Sequence, residues 1–177
     1  MRNIFIGIDP GKYGAVCIYS ECGITEVIDI PLRDVIGCND DDRRREEVDS
    51  VLLYNNIVEQ LHKHKIKKSE VICAHFEKVG GWKRDSASSA FAFGDSSGAT
   101  RAAVMLASGA AFEIYSYPQT WKNQLGLIKT GKDGSLDLAT KLSPSLKPFL
   151  SQKKDHDRAE AFLLAYLACK YHANLTS

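Results

Sequence analysis

"NIFIGIDPGKYGAV", residues 3–16, contains an apolar run, Ile4 to Ile8, that stops on a carboxylate, Asp9, and is followed at once by Pro10 and Gly11. A short apolar run closed by a turn signal reads as a buried strand. Asp9 then emerges at the mouth of the core rather than on a solvated face, and its partners must come from elsewhere in the chain. Residues 14–20 read as a second strand reached through the tight Pro-Gly turn, and 23–30 as a third. Connections this short suit an antiparallel meander.

Further along, "CNDDDRRREE" (38–47) reads as an exposed polar loop of mixed charge. The stretch "VDSVLLYNNIVEQL" (48–61) spaces Val51, Tyr54, Val58 and Leu61 as one face of an amphipathic helix. "SEVICAHFEK" (69–78) reads as a buried strand running toward Glu77, and a Gly-Gly-Trp loop follows it. "SSAFAFGDSSGATRAAVMLASG" (88–109) is a helix rich in small residues, with breaks expected near Gly94 or Gly98. "AFEIYSYP" (111–118) is a strand stopped by proline, and two short helices follow at 118–125 and 135–142. The last segment, "DHDRAEAFLLAYLACKY" (155–171), is apolar around most of its circumference and reads as a buried helix. The pattern is mixed α/β, with no repeat or interdomain linker, and is read as one domain over 1–177.

The net charge of +1 points to no polyanion by itself. Basic residues do cluster, at Arg43 to Arg45, Lys63 to Lys68, Lys83 and Arg84, Lys122 to Lys132, and Lys153 and Lys154. A local basic face binds phosphate even when acids elsewhere cancel the total; solvated surface charge is the plainer alternative for any one cluster. The five cysteines, Cys17, Cys22, Cys38, Cys73 and Cys169, are scattered without zinc-type spacing, and several lie in apolar runs and read as small core residues. No targeting segment and no run of membrane-spanning length is seen, so the expectation is a reduced, cytoplasmic protein that needs no membrane.

The chemistry lies in the acids. Asp9 and Glu77 each end a strand, and on neighbouring parallel strands both reach one edge of the sheet. Asp157 and Glu160, three positions apart, share a face at the start of the last helix. Crowded carboxylates repel and are driven toward neutrality unless a cation is present. Magnesium or manganese, which prefer hard oxygen donors, resolves this. Two such ions, about 3.5–4 Å apart, activate water and steady the leaving oxygen of a phosphodiester. Each acid also has a plainer reading. Asp9 serves a turn, Glu77 ends a strand, and Asp155 and Asp157 cap a helix or offset its dipole.

Taken in order, "IGIDPG", the strand ending at Glu77, "SSAFAFGDSSGA", "PQTWKNQLGL", "GKDGSLDLATKL" and the closing "DRAEA" resemble the RuvC family of Holliday-junction resolvases, in the ribonuclease H-like superfamily, and its phage and organellar branch above all. The resemblance implies a mixed five-stranded sheet: an antiparallel meander of strands 1–3, with strands 4 and 5 parallel to strand 1, flanked by helices. It implies Asp9, Glu77, Asp157 and Glu160 as ligands of two magnesium or manganese ions. Glu160 stands where the family often has aspartate. Asp157 ranks first on helical geometry, Asp155 is kept as its substitute, and His156 is a further participant to test.

Lys122 and Lys132 fall where the family has lysines near the scissile phosphate, and Lys129 lies between them. Trp82, Lys83 and Arg84 fall where relatives probe the junction centre, although Trp82 could equally fold back onto the core. The implied activity is symmetric, metal-dependent hydrolysis at four-way DNA junctions by a homodimer, with no small-molecule substrate, in a bacterial or phage-infected cytoplasm or an organelle. Rival readings are a nuclease of RNA–DNA hybrids or rRNA precursors, and a module that binds branched DNA without cutting it. "GIDPGKYG" also resembles the phosphate-binding turn of sugar kinases and actin-like ATPases, which need a second domain.

Overall fold

The structure is a computed structural model and describes residues 2–36, 45–78, 80 and 86–176. Seven strands are described: β1 (Ile4–Asp9), β2 (Ala15–Ser20), β3 (Ile24–Asp29), β4 (Leu32–Val35), β5 (Arg45–Val48), β6 (Val71–Glu77) and β7 (Phe112–Ser116). Five α-helices accompany them: α1 (Ser50–Lys63), α2 (Ala87–Ser108), α3 (Pro118–Gln124), α4 (Gly131–Leu142) and α5 (His156–Thr176). The main sheet has the order β3-β2-β1-β6-β7. Each of the first three strands is antiparallel to the next, whereas β6 is parallel to β1 and β7 to β6. This is the expected mixed five-stranded sheet, strand for strand.

The alternation of side chains along β1 sorts the molecule into layers. Ile4, Ile6 and Ile8 are fully buried on one face, in a core shared with Leu53 and Ile57 of α1 and Val104 and Ala107 of α2. Each such burial is worth roughly 1.5–3 kcal/mol. Phe5, Gly7 and Asp9 therefore point to the opposite face, where α5 lies. Phe5 packs with Ala168 and Cys169. At Gly7 the fit is tighter: a Cβ there would lie 2.0 Å from the Ala161 carbonyl oxygen and 2.3 Å from the Ala165 nitrogen. Strand and helix touch backbone to backbone, and only glycine permits it.

These contacts also give direction. Residues 168–169 sit beside Phe5 and residues 161–165 beside Gly7, so α5 runs antiparallel to β1 and its first turn arrives beside Asp9. Trp121 of α3 and Ala139 of α4 join Ala159, Phe162 and Leu163 in the core of this second layer.

Four details correct the sequence reading. Arg45 to Val48, whose first three residues were assigned to the polar loop, form β5, which pairs with β4 in a separate two-stranded sheet. Its charges sit on an exposed ribbon, held by ion pairs such as Arg45–Glu47 (2.7 Å) and Lys12–Glu46 (2.8 Å). On α1 the buried face is Leu53, Ile57 and Leu61, while Val51 and Tyr54 are exposed. Helix α2 runs unbroken past Gly94 and Gly98, and its buried residues begin only at Thr100. The shorter helix α4 starts at Gly131 rather than 135. No described helix is long and apolar enough to cross a membrane.

Candidate active site

Glu77 reaches Asp9 through strand register. Ile8 of β1 pairs with Phe76 of β6, so the next residues of these parallel strands, Asp9 and Glu77, stand side by side. Phe76 belongs to the α1–α2 core, which turns Glu77, like Asp9, to the α5 face. Beyond Asp9 the chain turns sharply. A Cβ on Gly14 would lie 2.0 Å from the Asp9 carbonyl oxygen, so this turn closes only with glycine there. The first turn of α5 then supplies Asp157 and Glu160.

Electrostatics registers the meeting of these four acids. The Asp9 carboxyl is held well above the usual carboxylate range, by burial first and then by the charges of Glu77, Asp157 and Glu160; a hydrogen bond from the Gly11 amide opposes the shift. Glu77 is raised by burial and by Glu160 and Asp157, against a hydrogen bond from Trp121 and the charge of Lys122. Asp157 is raised by burial and Glu160, against His156, Lys132 and a hydrogen bond with Asp9. Burial and mutual repulsion thus disfavour the charged forms of Asp9 and Asp157, and a cation would relieve both.

Each of the other acids has an internal partner. The indole Nε1–H of Trp121 donates to Glu77 Oε2 at 2.9 Å. Lys122 Nζ lies 2.8 Å from Glu160 Oε1, and Ser135 Oγ donates to the same oxygen at 3.0 Å. His156 Nε2 lies 2.8 Å from Asp157 Oδ1, while its Nδ1 is buried without a hydrogen-bond partner among the described residues. Among the described residues no three His, Cys, Asp or Glu side chains are already drawn into a closed metal cage. The donor set still fits a hard divalent cation: four carboxylates, no thiolate, and repulsion that a cation relieves.

Asp155 lines a cavity with Asp157 and His156 but is held by partners of its own. Its side chain is buried, with Oδ2 accepting from the Gln152 amide at 2.8 Å and Oδ1 from Arg158 Nη1 at 3.2 Å. Arg158 also grips Asp29 of β3 through two nitrogens, at 2.6 and 2.5 Å, and the Phe149 carbonyl at 3.1 Å. Asp155 thus anchors the entry to α5, while Asp157 is the acid whose charge acts on Asp9 and Glu77.

The three lysines singled out in the sequence share one cavity lining. Lys122, Lys129 and Lys132 line a cavity of about 380 Å³ together with His156 and Glu160. Lys132 and His156 are shared with an adjoining cavity of about 450 Å³ that reaches Tyr13, Lys154 and Asp157. Trp82, Lys83 and Arg84 lie outside the described residues. Sequence reasoning missed Gly7, Ser135 and Arg158, and it missed the contact made by Trp121. Ser135 gives no local signal, because its partner lies 25 residues away; the Asp155–Arg158 spacing is local, but the link from Arg158 to Asp29 spans 129 residues.

No protein-family profile matches this chain. Over 62 residues, 34% of its length, the chain is 47% identical to the chloroplastic Holliday junction resolvase MOC1 of Chlamydomonas reinhardtii, of which the match spans only 7%. Among solved structures it is similar to RuvC of Thermus thermophilus, at 13% identity and a TM-score of 0.51 over 96% of both chains. A second structure of that protein, in complex with a Holliday junction substrate, gives 16% identity and a TM-score of 0.49 over 99% of this chain and 97% of the other. The resemblance read from the motifs thus reappears both in an aligned stretch of a resolvase and in three dimensions, and the chain has the ribonuclease H-like fold of RuvC.

Proposed function

We propose that this protein is a structure-selective endonuclease that resolves four-way DNA junctions by symmetric, divalent-metal-dependent phosphodiester hydrolysis. The observation that carries the reading is the meeting of four carboxylates from three separate segments at one sheet edge, beside a cavity lined by three lysines. The name of the algal relative supports the substrate. Asp9, Glu77, Asp157 and Glu160 would hold two magnesium or manganese ions, which supply a polarised phosphate and an activated water when bound.

The chain's own groups do the rest. Lys132 and Lys129, both exposed, bind the phosphates of the strand to be cut. Lys122, on the wall of the same cavity, would stabilise charge growing on the phosphoryl oxygens. Burial of the acids keeps the local dielectric low, so each of these interactions is stronger than at an open surface. Two symmetric nicks require two such sites about a two-fold axis, hence a homodimer. Selectivity for the junction comes from shape and phosphate placement more than from base contacts. Trp82, Lys83 and Arg84 are assigned to the junction centre.

The test offers the purified protein a synthetic four-way junction, a linear duplex and an RNA–DNA hybrid, each with magnesium, manganese or chelator. Paired symmetric nicks confined to the junction, absent in chelator and absent for Asp9→Asn, are expected. Cleavage of the hybrid alone would replace the substrate assignment. Junction binding without cleavage under every condition would reduce the protein to a recognition module.

A further inference from the structure

Every hydrogen bond or ion pair that Glu77 and Glu160 accept from described side chains falls on one oxygen of each carboxylate. For Glu77 this is Oε2, bonded to the Trp121 indole. For Glu160 it is Oε1, bonded to Ser135 and paired with Lys122. We propose that Trp121 and Ser135 are positioning residues that hold these two acids by one oxygen each, so that the other oxygen is presented to the cations. The inference rests on the metal-dependent reading above and adds to it two residues from outside the acid set.

The chemistry of the two donors supports the assignment. An indole has a single N–H and accepts nothing, so its partner fixes one direction only. Trp121 is fully buried, and a buried indole needs a partner for its N–H; here the partner is a carboxylate on the neighbouring sheet rather than a carbonyl of its own helix. Ser135 is 1% exposed, and its hydroxyl, in the interior of α4, is spent on Glu160, which is 6% exposed. These neutral donors leave the charge of each acid intact while fixing its rotamer. Lys122 differs in kind: it is cationic and partly exposed, and it also lines the cavity assigned to the phosphates. The helices that pack α5 against the sheet therefore also aim the acids. Groups that orient metal ligands in this way typically cost 10–100-fold in metal affinity or activity when removed.

The experiment compares wild type with Trp121→Phe, which keeps most of the ring volume, and with Ser135→Ala, which removes one hydroxyl. Two quantities are read: the rise in Tm as magnesium or manganese alone is added, and the metal concentration giving half-maximal junction cleavage. We expect both midpoints to move about 10–100-fold higher in each variant, with cleavage largely restored at saturating metal. A purely structural role would lower Tm in chelator and leave the metal midpoints where they are. Wild-type midpoints in both variants would overturn the inference and leave the nuclease reading intact. A wild-type protein whose Tm and cleavage ignore divalent metal would overturn both.

Discussion

The substitution Gly7→Ala tests the contact on which the site depends. Gly7 lies two residues before Asp9 on β1, and Ala161 lies one residue after Glu160 on α5. A methyl at Gly7 would sit 2.0 Å from the Ala161 oxygen, where 3.0 Å is the practical lower limit, so α5 must retreat by about 3.0 − 2.0 = 1 Å. Both obstructing groups are backbone, so no rotamer change relieves the clash. Overpacking of this kind costs about 3 kcal/mol, the upper end of the usual range, or roughly 6–12 °C in Tm for a domain of this size. Intrinsic strand preference acts in the opposite direction, since alanine is favoured over glycine in a strand interior by about 0.5–1 kcal/mol. The sign of the change therefore reports whether the contact exists.

The second consequence is catalytic. A retreat of about 1 Å separates Asp157 and Glu160 from Asp9 and Glu77, and misplacement on that scale costs about 10²-fold in rate. The assay is single-turnover cleavage of a four-way junction at saturating protein, well below both melting temperatures, with Tm measured in parallel. Ile6→Val serves as a control, because Ile6 packs on the opposite face. It should cost about 0.5–1.5 kcal/mol and leave the rate unchanged. A Gly7→Ala protein with an unchanged or raised Tm and wild-type cleavage would refute the assigned strand–helix contact and its link to the site.

Two further outcomes are expected. His75 is fully buried between the Leu164 carbonyl, 2.9 Å from Nδ1, and Ser116 Oγ, 2.8 Å from Nε2, so it is the neutral Nδ1–H tautomer, with its pKa lowered from 6.5 to about 4 by burial. The unfolded chain binds this proton first; the stability it confers is complete above pH 6.5 and is lost as pH falls toward 4, by about 3 kcal/mol. Urea unfolding of wild type and His75→Gln at pH 7.5 and 4.5 isolates this difference, and parallel pH profiles would count against it. The raised carboxyls have the opposite sign, since their ionisation disfavours the fold as pH rises. Asp9→Asn should accordingly raise Tm in chelator at pH 7.5, shrink the rise produced by magnesium, and abolish cleavage; a lower Tm in chelator would show that crowding is not what shifts Asp9.

Much of this arrangement was legible in the sequence because buried parallel strands are written as continuous apolar runs. The segments around Ile4–Ile8 and Val71–Phe76 permit little else, and a carboxylate at the end of each is conspicuous. The exposed elements were harder to read. Residues 45–47 of β5, Arg-Glu-Glu, have no apolar side to mark a strand. In α1 the apolar residues Val51, Leu52, Leu53, Tyr54, Ile57, Val58 and Leu61 admit two overlapping stripes, and only the sheet decides that Leu53 and Ile57 face inward. In α2, Gly94 and Gly98 cost helix propensity, about 1 kcal/mol each, which the packed half of the helix beyond Thr100 offsets.

The choice between Asp155 and Asp157 shows how local geometry and distant contacts act together. At 3.6 residues per turn each residue advances about 100°. Asp157 and Glu160 therefore lie about 60° apart, and Asp155 would point about 160° away from Asp157. Helical spacing alone favours Asp157 for the site. A carboxylate directed away from the site is still costly to bury, and what makes Asp155 tolerable is Arg158, which reaches across to Asp29 at the end of β3. The same Asp155–Arg158–Asp29 chain ties the first turn of α5 to the far edge of the meander, 129 residues earlier in sequence. Asp155 thus helps to set the angle at which Asp157 and Glu160 enter the site.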